Sequence, residues 1–253
     1  MIGGGNGSFI GAVHRIAANL DGQIDLVCGC FSGTPSVSVA SGRNLFLPED
    51  RIYNSYQEMI EEEAKLPEAE RMDFVSIDTH NHVHFEPAMM ASKHGFHVVL
   101  DKPVTYTLEE AKALREQVKV SGKLFALTHT YTGYPMVKEA RTRVLRGDIG
   151  KVRRVYVEYP QGWLYSDCAG VNKQAAWRVD PKRSGKAGCM GDIGTHAFNL
   201  VEYITGLKAI ELCAELNTFV PGRLLDDDGA MLIRYEGDAK GVLTASQIAV
   251  GEE

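Results

Sequence analysis

Up to residue 129, short apolar runs alternate with helical patterns, and this alternation limits the possible folds more than any single motif does. The runs IDLVCGCF (Ile24 to Phe31), MDFVSIDT (Met72 to Thr79), FHVVLD (Phe96 to Asp101) and KLFALTH (Lys123 to His129) are almost wholly apolar, as suits strands buried on both faces. Helical patterns fill the gaps at 8–20, 55–66 and 85–94 and in TLEEAKALREQVKVSG, where Thr107 caps, Glu110 follows three residues on and Gly122 stops the helix. This predicts an α/β first domain over 1–129, a doubly wound parallel sheet with helices on both faces. Beyond it the order changes. A helix at 135–146 is followed by KVRRVYVEYPQGW, a Gly-rich bend, a helix from Asp192 to Thr205, and three successive strand-like stretches, AIELCAELNTFV, GAMLIRYE and GVLTASQIAV. Strands following strands predict a second, α+β domain over 130–253.

A net charge of -6 and a pI near 5.8 over 253 residues offer no basic face for nucleic acid or anionic lipid. There is no apolar run of membrane-spanning length and no signal-peptide pattern at the start, so a cytoplasmic protein with a small-molecule partner is expected. The five cysteines are odd in number and scattered; Cys28 and Cys30 share one face of an expected strand and read as buried thiols.

The chain begins MIGGGNGSFIG. A glycine turn opening a helix at the start of an alternating unit suits a dinucleotide pyrophosphate, which needs bare backbone and a helix N-terminus. Gly3 and Gly5 take the first two positions of GxGxxG with Ser8 at the third; counting from Gly5 gives Gly7 and Ile10 instead. The expected NAD or NADP contacts are Gly3, Gly5, Asn6, Gly7, Ser8, Phe9 and Ile10. CFSGTP, where the adenosine ribose would be read, holds no carboxylate, and Ser32 or Thr34 could bond a ribose hydroxyl or a 2'-phosphate. The coenzyme stays open between the two.

THNHVH places His80, His82 and His84 at alternating positions, like the HxH of metal-dependent hydrolases. A helix reading starts at once after it, so a loop at the C-terminal edge of the sheet is preferred and no metal is assigned. In LDKPVTYTLEEA, Lys102 before Pro103 ends a strand, where its ammonium could polarise a substrate oxygen near the nicotinamide. In GKAGCMGDIGTHAFNLVEYITG, Asp192 and His196 stand four apart, a spacing that puts a carboxylate and an imidazole on one helix face and can orient a general base. Tyr131, Trp163, Trp177 and Arg178 fall in irregular stretches and could wall a sugar, as could core or interface packing explain the tryptophans.

Taken in order, GGGNGSFIG, THNHVH, DKP, GDIG at Gly147 to Gly150 and GDIGTH at Gly191 to His196 resemble the glucose-fructose oxidoreductase and inositol dehydrogenase (Gfo/Idh/MocA) family over essentially the whole chain. The resemblance implies an N-terminal Rossmann domain, a second domain whose open, mostly antiparallel sheet carries a homo-oligomer interface, and NAD(P)-linked oxidation of sugars or cyclic polyols. It makes Lys102, Asp192 and His196 the catalytic set, with Thr195 beside them at the substrate. Thr79, Asn81 and His84 match the cofactor loop, to which His80, Asp101 and Pro103 are adjacent. Three positions depart: His80 replaces the proline of TPN, Asp101 the glutamate of EKP, and Thr132 stands where many members have arginine. Members run longer, and the chain stops at SQIAVGEE within the second sheet, so the end of that sheet is expected to be missing. A non-catalytic NAD(P)-binding sugar sensor and a metal-dependent hydrolase using the three histidines are the rival readings.

Overall fold

The computed structural model describes residues 1–168 and 170–251. They form two compact units, Met1–Thr128 and His129–Glu253, each taken here by itself.

The first unit is built on a parallel sheet, β1 (Ile2–Gly3), β2 (Phe74–Asp78), β3 (His97–Leu100) and β4 (Phe125–Leu127), in that spatial order. Ile2 pairs with Ile77, Ile77 with Leu100 and Leu100 with Leu127, so one register runs straight across the sheet. The expected strand at Ile24 to Phe31 is a correction. Only single bridges form there, Ile2 to Cys30 and Gly29 to Ile52. Its neighbour β1 has two residues to pair with, and Gly29 turns its own backbone to Arg51 and Tyr53, so no ladder extends back toward Ile24. Counting those bridges, the chain order across the sheet is third, second, first, fourth, fifth, sixth: the doubly wound arrangement, with the order reversing at β1.

Helices α1 (Phe9–Asn19), α2 (Pro35–Asn44), α3 (Tyr56–Lys65), α4 (Phe85–Lys93) and α5 (Leu108–Ser121) complete the unit. Helix α5 carries the predicted capping box between Thr107 and Glu110 and ends at Gly122 in the left-handed region. Helix α2 is unannounced by any apolar stripe; its signal is Pro35 at the first turn after Thr34. Cys28 and Cys30 are buried thiols in a core with Met59, Ile60, Val75, Ile77, Ala88, Phe96, Leu100 and Leu114, and burial pushes both thiols up.

The second unit holds a mixed sheet in the order β5 (Arg154–Pro160), β8 (Lys240–Ser246), β7 (Asp228–Tyr235), β6 (Ala209–Asn217). Strand β5 is parallel to β8, and the other two pairings are antiparallel. Helix α6 (Pro135–Arg146) lies against α9 (Thr195–Thr205), while the short α7 (Lys173–Arg178) and α8 (Pro181–Ser184) occupy the stretch expected to be irregular. Thus Trp177 and Arg178 sit on a helix. One sheet face is covered by Met190, Ile193, Ala197 and Val201, which pack on Ile233, Tyr235, Leu243 and Ala245. No helix among the described residues is long and apolar enough to cross a membrane.

Buried Glu63 joins three segments of the first unit. Its carboxylate accepts from Arg51 Nε and Nη2 at 2.8 Å each, from the Tyr53 hydroxyl at 2.9 Å and from the Met72 N–H at 2.9 Å. Removing one partner of a buried, hydrogen-bonded ion pair leaves the other uncompensated. Glu63→Ala should therefore cost about 3–5 kcal/mol in urea unfolding. Glu62→Ala, which removes only an exposed pair with Lys65, should cost under about 1 kcal/mol.

Candidate active site

The turn after β1 is shaped by close approaches of backbone to backbone. Gly3, Gly4 and Gly7 have φ of +78°, +70° and +76°, conformations that a side chain would strain. A Cβ on Gly3 would overlap the Asp78 carbonyl, one on Gly5 would meet the Phe31 carbonyl oxygen and Ser41 Oγ at 2.7 Å each, and one on Gly11 would overlap the backbone of Gly4. The third crowded position is therefore Gly11, which neither register read from the sequence had chosen. Ser8 is instead the N-cap of α1, its Oγ accepting the Gly11 N–H at 3.5 Å, and Ile10 is a half-buried helix residue. Arg15 donates to the Gly4 carbonyl at 2.7 Å, and Asn6 donates its N–H to Ser41 Oγ at 3.0 Å.

The first-turn N–H groups of α1, at Phe9 and Ile10, have no acceptor within a helix by geometry. The Thr79 methyl lies beside Gly3, and its buried Oγ1 has no hydrogen-bond partner among the described residues. A bare turn, a helix N-terminus and an unsatisfied hydroxyl at the point where the strand order reverses together fit a dinucleotide pyrophosphate. At the expected ribose end, Ser32 Oγ accepts the Thr34 N–H at 3.1 Å, and the Thr34 side chain makes no capping bond to α2.

Strand β2 ends at Asp78, and a 3-10 turn at Asn81–Val83 breaks the alternation of the three histidines. His80 and His82 are exposed, their rings stacked with centroids 6.0 Å apart. His84 lies beneath the loop. It is fully buried, with Nδ1 2.6 Å from the Pro103 carbonyl and Nε2 3.1 Å from the Thr79 carbonyl, so it braces the loop after β2 to the loop carrying Lys102. Burial pulls its pKa down, outweighing the two carbonyls and Asp101, which favour the proton. Asn81 is buried as well, while Lys102 and Pro103 are half-buried. Asp101, in place of glutamate, accepts the Lys102 N–H of its own loop at 2.9 Å and the hydroxyl of Thr128, just past β4, at 3.0 Å.

On the second unit, Met190–Gly194 is a π-helical turn leading directly into α9. Asp226 holds its start: the carboxylate accepts the N–H of Gly188 at 2.6 Å and of Met190 at 2.8 Å, and the carbonyl accepts that of Cys189 at 2.8 Å. The wide turn lies between Asp192 and His196, with the Thr195 N–H bonded to the Met190 carbonyl, so the regular α-helical alignment assumed from their spacing does not apply. Asp192 Oδ2 accepts from Arg178 Nε at 3.0 Å and from Gln247 Nε2 at 2.8 Å.

Arg178 in turn lies over Trp177 at 4.3 Å and Trp163 at 5.6 Å. His196 is 8% exposed, with Tyr131 edge-on at 4.9 Å, His129 at 5.6 Å and Tyr159 at 6.4 Å. The Tyr131 and Tyr159 hydroxyls bond each other, Gln161 Nε2 donates to Tyr159 at 3.0 Å, and Trp163 Nε1 donates to Gln161 at 2.9 Å. Burial, then the Tyr159 hydroxyl, pushes the Tyr131 phenol up, so it keeps its proton at neutral pH.

The second unit thus links Trp163, Trp177, Arg178 and Asp192, and Tyr131 with His196, from the 3-10 turn at Thr130–Gly133, a loop, α7, the π-turn and α9, where Thr195 precedes His196. Sequence reading missed Gly11 on the first unit and Tyr159, Gln161, Asp226 and Gln247 on the second. Their one available signal was polarity inside apolar runs, as with Gln247 in TASQIAV.

The family models agree with this geometry. Residues 2–129 match the oxidoreductase family with an NAD-binding Rossmann fold, and residues 137–253 match the GFO/IDH/MocA C-terminal domain. The chain belongs to this family of NAD-binding oxidoreductases. An uncharacterized oxidoreductase, YfiI, from Bacillus subtilis is 33% identical over 99% of this chain and 64% of its own length. An inositol dehydrogenase homolog from Azotobacter vinelandii, solved with NAD+, superposes with a TM-score of 0.95 at 34% identity, covering 100% of this chain and 65% of that one. The same homolog has been solved with NADH and myo-inositol, with a TM-score of 0.91, 32% identity and coverage of 100% and 64%. An oxidoreductase from Sinorhizobium meliloti gives a TM-score of 0.89 at 47% identity, covering 100% and 66%. The chain thus spans about two thirds of the length of these relatives.

Two outcomes follow from the turn. Alanine ordinarily stabilises a helix over glycine, by about 1 kcal/mol, yet Gly11→Ala should weaken NAD binding at least tenfold in calorimetric titration, because the new methyl displaces Gly4. The second concerns Asp78, whose carboxylate contacts His14 Nε2 at 3.2 Å and Ser76 Oγ at 3.1 Å beneath Gly4. Burial pushes it up to about 6 from 3.8 despite His14. The folded state then binds the proton more tightly than the unfolded state, so this group's contribution is full below about pH 4 and is lost as pH rises through about 6. The loss is on the order of 3 kcal/mol. Asp78→Asn should flatten that part of the stability curve in urea unfolding at pH 4 to 8.

Proposed function

We propose that the protein is an NAD(P)-dependent dehydrogenase that oxidises a ring hydroxyl of an unphosphorylated sugar or cyclic polyol. The observation that carries this reading is the constellation on the second unit, an Asp192 carboxylate anchored by two donors and a His196 imidazole enclosed by tyrosines, in a chain of the NAD-binding family. The relative bound to NADH and myo-inositol supports the substrate class. A bound nicotinamide supplies the hydride acceptor, and the chain must then remove the hydroxyl proton. His196 is assigned as the base, Asp192 as the carboxylate that orients it, and Lys102 as the cation that stabilises the developing alkoxide. Gly3, Gly5, Gly7, Thr79 and the start of α1 hold the dinucleotide.

The commitment of Arg178 supports a neutral substrate. Arg178 is matched by Asp192 and stacked on two tryptophans, and beside His196 lie the Tyr131 and Tyr159 phenols, the Gln161 amide bonded to Tyr159, and the His129 imidazole. Phosphate recognition calls for an uncommitted Arg or Lys. With no carboxylate between Phe31 and Pro35, either coenzyme is admitted. Assembly through the second sheet belongs to the same reading, because its outward face, where Tyr156, Val242, Leu232 and Cys213 fall in register, exposes Tyr156, Leu232 and Cys213.

The test is a panel of cyclic polyols, pyranosides and sugar phosphates with NAD and NADP, followed at the reduced-nicotinamide absorbance. Unphosphorylated rings should be oxidised, and His196→Ala should lower that rate by roughly 100- to 10,000-fold with coenzyme affinity nearly intact. Preferential turnover of the phosphates, or near-normal activity in His196→Ala alongside a dead Lys102→Met, would overturn the assignment.

A further inference from the structure

We infer that Gln247 is a positioning residue for the reaction: its side-chain amide sets the orientation of the Asp192 carboxylate. The inference rests on the reading of Asp192 and His196 as the proton-handling pair. Gln247 lies one residue past β8, is 3% exposed and is fixed at both backbone groups, its N–H donating to the Asp227 carbonyl at 2.9 Å and its carbonyl accepting from Leu164 at 3.0 Å. So placed, Nε2 reaches Asp192 Oδ2 at 2.8 Å, the oxygen that Arg178 Nε also meets at 3.0 Å. Two donors converging from different elements fix both torsions of a short side chain, whereas either alone permits rotation about the bond it makes.

The two donors are not redundant. Arg178 also gives Nη1 to the Gln174 carbonyl and side chain, at 3.1 and 2.9 Å, and so ties Asp192 to α7. Gln247 ties it to the sheet. An amide supplies a hydrogen bond without a charge, so the carboxylate keeps one counter-ion and retains its negative charge toward the imidazole it is to orient. A lysine at 247 would neutralise that charge; an apolar residue would leave the carboxylate without its second donor.

Two substitutions of Gln247 test this. Gln247→Met keeps the volume and removes the donor. It should lower kcat roughly 10- to 100-fold on the polyol oxidised best by the wild type, with KM and coenzyme affinity within about twofold. Gln247→Glu keeps the shape but sets a second carboxylate against Asp192, so at neutral pH it should fall below the methionine variant. As pH drops, the introduced carboxyl regains an O–H that can donate to Asp192, and the ratio of its activity to that of the methionine variant should climb. Among the titratable and charged groups that act on Asp192 are Arg178, Tyr131 and Cys189; every such group other than residue 247 is the same in both variants, so the ratio cancels their contribution. A role in packing alone predicts a ratio that does not vary with pH.

A double-mutant cycle in thermal unfolding between Gln247→Met and Asp192→Ala needs no substrate. The double variant should lose less stability than the two singles summed. Additive losses, or wild-type kcat in Gln247→Met, would overturn the inference. Failure of the wild type itself to oxidise any polyol would instead fall on the proposed function, and the cycle would still decide whether Gln247 anchors Asp192.

Discussion

The contact on which the first unit depends is that of Gly11 with Gly4, where a helix lies directly on the turn from which it grew. No side chain fits between them. Because the approach is that close, α1 starts right after the turn that follows β1, at the reversal point of the sheet. The same crowding brings Asp78 beneath the turn and sets the Thr79 side chain beside Gly3. Backbone shape, rather than any charged side chain, defines the place where a dinucleotide is expected.

The second unit works by a different means. Its chemistry-bearing groups are held by side chains drawn from separate segments: Asp226 at the start of the π-turn, Arg178 from α7, Gln247 from beyond β8 and the tyrosines from β5 and the 3-10 turn at Thr130–Gly133. Each is itself fixed by backbone bonds or burial. The Cys189 thiol within this cluster is pushed up by burial and then by Asp226, which makes it a packing group instead of a nucleophile.

Where local pattern decides structure, the sequence was legible. Helices α1, α3, α4, α5 and α6 and strands β2, β3, β4 and β6 lie within the stretches their patterns predicted, and β7 and β8 begin one residue before theirs, because apolar period, caps and glycine stops are local signals. Strand formation at Ile24 to Phe31 was not legible, since an apolar run cannot report that its neighbour offers only two residues for pairing. Helix α2 was missed for want of an apolar stripe, and Gly11 because the fingerprint was counted by spacing when contact with Gly4 decides it. The Asp192 to His196 spacing was read as α-helical, and nothing in MGDIG announced the wider turn. Gln247 and Asp226 stand 55 and 34 positions from Asp192 by subtraction of their residue numbers, and only folding brings them to the π-turn.

That turn amounts to one residue more than a regular helix would hold between Met190 and Thr195. Everything before the extra residue is therefore wound out of phase with everything after it. Were the surplus residue deleted, the helix would close into an unbroken α-form of better backbone geometry, and side chains on its first turn would swing by about 100° relative to α9. His196 would keep its place on the sheet while Asp192 left the donors that wait for it. The less regular helix is in this sense a phase adjuster: it lets one continuous segment serve two surfaces that an ideal helix could not face together.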